Sequence, residues 1–124
     1  FYPNATVIVN DIGAVCFFTD AHVLDAVGLG DMAPAVARLR GEYSAAWVDR
    51  WARGNGASLA IVYPDVLPPS DWPLMGIWTI PEPWIVGHAE VTVYAVDPRE
   101  AFALRRNLTR FQSELPTGVR WAGI

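Results

Sequence analysis

The sequence predicts an α/β domain: a three-layer sandwich with a mostly parallel central sheet and a C-terminal amphipathic helix. Three observations carry that prediction. Short apolar, β-branched runs recur at residues 6–9, 23–27 and 58–63, segments of helical periodicity lie between them, and a strongly periodic helix follows Asp97. All 124 residues fit one such domain, and 52% hydrophobic against 18% charged residues excludes an intrinsically disordered chain.

The elements follow in order. Residues 6–9 read as a buried strand that ends at Asn10 and Asp11, and Asp11 is placed to start a short apolar helix over residues 12–18. A turn at residues 19–21 leads into the second strand, 23–27, which exits through Gly28 and Gly30. Asp31 and Pro34 mark the first turn of a helix whose Met32, Val36 and Leu39 lie at helical spacing, with Gly41 as its stop. A further helix, from about Glu42 to Arg53, carries Tyr43, Trp47 and Trp51 on one side. The third strand, 58–63, leads to Asp65.

From residue 64 to 87 the pattern changes. Six prolines fall among Trp72, Trp78 and Trp84, a density that no regular helix accepts. This is the long loop of the domain, with residues 75–80 as a short edge strand inside it. Residues 90–96 alternate as a strand that is either parallel or antiparallel. Asp97, Pro98 and Glu100 then start the clearest helix, in which Ala101, Leu104, Leu108, Phe111 and Leu115 recur at spacings of 3, 4, 3 and 4.

Composition narrows the function classes. A net charge of −4 argues against a nucleic-acid partner, since phosphates would be repelled. The longest stretch without an acidic or basic residue is eleven residues, from 54 to 64, against the roughly 20 needed to span a bilayer. The chain begins with Phe1 and reads as a single soluble domain, residues 1–124, excised from a larger membrane protein, the alternative being a processed product. No phosphate-binding glycine loop or G-x-S-x-G elbow occurs, and Ser44, Ser58, Ser70 and two histidines do not assemble into a nucleophile and base. His22 with Asp25, and His88 with Glu90, match no metal signature, so neither a metal nor a cofactor is expected. The lone Cys16, in an apolar run, reads as inert packing.

The candidate ligand-binding residues form two groups. Asn10, Asp11, Asp25 and Asp65 follow or lie within the predicted parallel strands, and open α/β sheets bind ligands beyond the carboxyl ends of their strands. The plainer reading is that Asn10 and Asp11 cap a helix while Asp25 and Asp65 bind loop amides; Asp25, on a strand face with Val23 and Val27, needs such a partner or an edge position. Trp72, Trp78 and Trp84 form the second group, because aromatic faces stack on sugars, the alternatives being packing within the loop or against another domain. Trp47 and Trp51 read as core or a docking surface. Arg99, Arg105, Arg106 and Arg110 give the last helix a basic side that is either simply solvated or faces anionic lipid headgroups.

Residues 7–10, then Asp11-Ile12-Gly13-Ala14, the pair Phe17-Phe18, and Leu24-Asp25-Ala26-Val27-Gly28-Leu29 together carry a resemblance. The chain resembles the soluble C-terminal segment of bacterial polytopic glycosyltransferases of the GT-C type, in which N-D-I-G-A, an aromatic pair and L-D-x-x-G-L follow the last membrane helix. The later layout is similar too: a strand before a proline and an acid (61–65), a tryptophan-rich loop, and a closing Val-Thr-Val-Tyr-Ala-Val strand. The resemblance implies a domain on the extracytoplasmic side of the cell membrane, joined to a membrane-embedded part of the same chain that moves a sugar from a polyprenyl-phosphate donor. It also implies that the catalytic carboxylate belongs to that other part. This domain would then contribute binding of a glycan acceptor or shaping of the active site, without catalytic residues or transferase activity of its own. The alternative is a stand-alone module that binds glycan or protein through the tryptophan-rich loop.

Overall fold

Six short strands line up into one mixed sheet of order β2-β1-β3-β5-β4-β6 in a computed structural model that describes residues 2–68, 70–81 and 88–124. The elements run β1 (Thr6–Val9), α1 (Ile12–Phe18), β2 (His22–Asp25), α2 (Met32–Leu39), α3 (Ala45–Gly54), β3 (Ala57–Val62), β4 (Leu74–Thr79), β5 (Glu90–Ala95), α4 (Ala101–Phe111) and β6 (Arg120–Gly123). Single 3-10 turns flank α4 on both sides.

The mostly parallel sheet expected from the sequence is not what forms. β1 pairs in parallel with β2 and β3, but β3–β5, β5–β4 and β4–β6 are all antiparallel. The cause is connectivity. Helical crossovers through α1, and through α2 with α3, return the chain to its starting end, as parallel neighbours require. β4 passes to β5 without an intervening element among the described residues, and β5 slots between β3 and β4, antiparallel to both. β4 is therefore an interior strand, not the edge strand expected. The amphipathic helix is also not the last element, because β6 follows it and covers the far side of β4.

Alternation on the strands divides the core in two. Ile8, Ala60, Val62 and Val96 face α3, with Val48 and Ala52 packed on them. Val7, Val9, Leu59, Val93 and Ala95 face the opposite way, towards Ile12 and Val15 of α1 and Leu104 and Leu108 of α4. Burying the valine, leucine and isoleucine side chains among them stabilises the fold by ~1.5–3 kcal/mol each.

Local chemistry sets the helix ends. The Asp31 carboxylate accepts a hydrogen bond from the Ala33 amide at the start of α2, and the Ser44 hydroxyl accepts one from Trp47 at the start of α3, which begins three residues later than the sequence places it. Asp97 accepts from the Arg99 amide before α4. Asp11 occupies the cap position of α1 but makes no side-chain cap bond, which leaves its carboxylate available to the site described below. Cys16, expected in packing, is exposed, because α1 presents Ile12 and Val15 to the core and turns Cys16 outward.

Candidate functional site

In this sheet, β1 is the strand on either side of which the chain runs in opposite directions: α1 leads to β2 on one side, and α2 with α3 leads to β3 on the other. In open α/β sheets ligands bind at such a switch, beyond the carboxyl ends of the strands, here those of β1 and β3. Asn10 lies at that end of β1, where its side-chain oxygen accepts a hydrogen bond from the Tyr63 amide at 2.8 Å. That bond ties the first residue after β1 to the first residue after β3 and fixes the two loops against each other.

Above it sit two rings and two carboxylates. The Tyr63 hydroxyl donates to Asp11 Oδ2 at 3.4 Å. Tyr63 and His88 are stacked with centroids 4.7 Å apart and planes 30° apart. His88 Nε2 lies 3.5 Å from Asp65 Oδ1, and the Asp65 side chain is 68% exposed. Because β5 runs against β3, the segment entering β5 brings His88 to the end where β3 delivers Tyr63 and Asp65. Burial raises the pKa of Tyr63, and the charge and hydrogen-bond acceptance of Asp11 raise it further, so the phenol is neutral and a donor at neutral pH. The result is a partly exposed ring platform flanked by acceptors: geometry that suits vicinal hydroxyl groups carried on an apolar ring. Among the described residues no group of three or more His, Cys, Asp or Glu is placed to hold a metal ion.

Asp25 is elsewhere and does other work. It is 4% exposed at the end of β2, and its two oxygens accept from the amides of Val27 at 2.8 Å and Gly30 at 2.6 Å. Burial pushes its carboxyl pKa up, but the amides of Gly30, Val27, Gly28 and Leu29 together outweigh burial and hold it below the ordinary aspartate value. The segment from Leu24 to Leu29 is thus a loop folded around one carboxylate. Gly28 completes it: its φ is +94°, and a Cβ there would lie 2.6 Å from the Ala35 amide nitrogen of α2.

The tryptophans do not assemble into a platform. Trp72 is buried on the α3 side of the sheet and donates its indole N–H to Asp49 Oδ1 at 2.7 Å, a bond that is the main reason the Asp49 pKa is lowered. Trp78 is half-buried on the opposite side, between Phe111 and Trp121, with centroids at 6.2 and 5.6 Å. A sugar cannot stack on Trp72, and Trp72 and Trp78 lie on opposite sides of the sheet. Trp84 falls outside the described residues. On α3, Trp47 and Trp51 stack on each other at 5.7 Å and pack against the core.

Of the residues singled out in the sequence, the structure therefore brings Asn10, Asp11 and Asp65 together and leaves Asp25, Trp72 and Trp78 apart from them. Tyr63 and His88 complete the cluster; Tyr63 was not singled out, and His88 was considered only with Glu90 as a metal pair and set aside. Tyr63 was detectable as the last residue of a predicted strand, one step before Pro64, whereas nothing local marks His88.

The model of a family described as a domain of unknown function, DUF8728, matches residues 1–94. The chain belongs to that family. The match spans the parallel half of the sheet, the switch-point cluster, β4 and most of β5, and it stops before α4 and β6. No curated protein and no solved structure matches the chain.

Proposed function

We propose that this is an accessory, extracytoplasmic domain of a polyprenyl-phosphate-sugar-dependent membrane glycosyltransferase, and that the switch-point cluster binds the glycan acceptor. The observation that carries the reading is the Tyr63–His88 stack flanked by the Asp11 and Asp65 carboxylates at the carboxyl ends of β1 and β3. Sugar recognition uses this combination: a ring against the C–H face and carboxylates that accept from neighbouring hydroxyls. On this reading the domain binds and positions the acceptor while the chemistry occurs in the membrane-embedded part. The resemblance in residues 7–29 points the same way, since its two polar anchors, Asn10-Asp11 and Asp25, build the site and the loop beside it. A free-standing module that binds through the tryptophan-rich loop has less support, because Trp72 is buried and bonded to Asp49.

The test is a titration of the domain with arabinan and mannan oligosaccharides, followed by NMR. Resonances of Tyr63, His88, Asp11 and Asp65 are expected to shift together, and Asp65→Asn and Asp11→Asn to weaken binding about tenfold or more, the loss of one to two charge-assisted hydrogen bonds. Shifts confined to tryptophans away from the cluster would move the site, and turnover of a sugar donor by the isolated domain would overturn the accessory role.

A further inference from the structure

Charge is segregated in this chain. Residues 98–111 hold four of its nine arginines and one of its thirteen acidic residues, so a basic helix sits on an otherwise strongly acidic domain. α4 buries Leu104 and Leu108 against the sheet and turns Phe102, Arg105, Arg106 and Arg110 outward. Arg99 is held by a two-pronged contact to Asp97, and Arg105 and Arg106 further along carry the exposed positive face.

Large apolar side chains are exposed at several places among the described residues, Leu29, Met32, Leu39 and Ile124 included, but the exposed phenylalanines lie on the side of α4. α1 and α4 cover one surface of the sheet, and between them they present Phe17 (81% exposed), Phe18 (79%) and Phe102 (78%) to solvent. Phe17 and Phe18 touch edge to face at 4.9 Å at the end of a helix that has no charged residue at all. Three phenylalanines almost wholly exposed on one side of a domain are apolar surface of the kind that marks an interaction site. A polyanion such as a nucleic acid or a soluble phosphate would use the arginines but would have no use for the phenylalanines. A bilayer surface uses both: rings insert at the headgroup level, and guanidinium groups pair with the phosphates.

We infer that the face formed by α1 and α4 docks on an anionic phospholipid bilayer, with Phe17, Phe18 and Phe102 entering the interface and Arg105 and Arg106 meeting lipid phosphates. The acidic remainder of the domain is repelled by the same surface, which fixes one orientation. In that orientation the carboxyl ends of the strands, with the switch-point cluster, open to the side of the docked face rather than into it, since the cluster lies at the strand ends and α1 and α4 lie over a sheet surface. The inference is independent of the sugar-binding reading, because it uses none of that cluster's residues.

The experiment is co-sedimentation of the 124-residue domain with vesicles of phosphatidylglycerol and phosphatidylcholine, with pure phosphatidylcholine vesicles and heparin as comparisons. Binding to the anionic vesicles is expected, weakening as salt is raised. Each arginine near such a surface is worth a factor of about five, so Arg105→Gln with Arg106→Gln is expected to reduce partitioning about thirtyfold. Phe17→Ser with Phe18→Ser is expected to reduce it by about tenfold or more at unchanged thermal unfolding temperature, since both side chains are exposed. Equal partitioning onto pure phosphatidylcholine, no binding to anionic vesicles, or indifference to the arginine pair would overturn the inference. Heparin binding that needs the arginines but not the phenylalanines, with no vesicle binding, would make the face a polyanion site instead. Loss of vesicle binding in these variants with oligosaccharide shifts at Tyr63 and His88 retained would keep the two proposals separate.

Discussion

The two halves of the sheet are built on different logic. In β2-β1-β3 the chain leaves each strand at the same end, so three loops gather there, and their polar residues must be satisfied by one another: Asn10 by the Tyr63 amide, and Asp25 by the amides of its own loop. In β5-β4-β6 the strands alternate in direction and are held by side chains packed across them, with Trp78 against Trp121 and Gly76 beneath the Trp121 ring. The parallel half spends its polar groups on positioning loops, and the antiparallel half spends its aromatic ones on closing the core. Binding geometry therefore collects in the first half, with His88 as the one contribution from the second.

The largest expected effect tests the antiparallel half. A Cβ on Gly76 would overlap the Trp121 ring and lie 2.6 Å from the Ala122 carbonyl oxygen, so neither β4 nor β6 can hold its place. Gly76→Ala is expected to destabilise by ~3 kcal/mol in urea unfolding, with β6 amides losing protection from hydrogen exchange first. A variant with unchanged stability would show that β6 is not packed as described.

Next comes the parallel half. Asp25→Ala removes the acceptor of several loop amides at a buried position and is expected to cost ~2–3 kcal/mol. Its pH dependence has a definite sign. The folded-state pKa lies below the ordinary aspartate value of 3.8, so the stabilisation is fully present above that value and is lost as the pH falls through the lower, folded one. Wild-type stability is expected to drop on acidification below about pH 4, and Asp25→Asn to flatten that drop. An unchanged acid limb in the variant would remove Asp25 from the account.

Two smaller effects sharpen the contrast. Asn10→Ala leaves the Tyr63 amide without its partner and is expected to cost ~1 kcal/mol while broadening the Tyr63 and His88 resonances, since the loops lose their tie. By comparison, Arg53→Ala breaks an exposed pair with Asp49 on α3 and is expected to change stability by less than ~0.5 kcal/mol. If the order of these two were reversed, a surface ion pair would be contributing more than the bond between the loops.

The strands β1, β3 and β5, the helices α1 and α2 and the course of α4 were legible because each carries its own period or its own terminators. β6 was not: Arg-Trp-Ala-Gly is short, does not alternate and exists as a strand through its pairing with β4, more than forty residues away in sequence. In the candidate site, Asn10, Asp11 and Asp65 could be read from their position after strands. Trp72 was misread because aromatic residues among prolines look like an exposed loop, when this loop crosses the sheet and packs Val66, Leu67 and Trp72 on the α3 side.

What the sequence alone determined is local: which segments are strands and helices, that Asp25 needs a partner, that Gly28 belongs at a turn, and that basic residues cluster on one helix. These follow from backbone sterics, side-chain period and the cost of an unpaired buried charge, all of which act within a few residues. Only the tertiary structure decided the direction of β5, the interior place of β4 and the meeting of Tyr63 with His88. Those depend on which strand fills the space beside β3, a choice made by packing between distant segments and not written in any one of them.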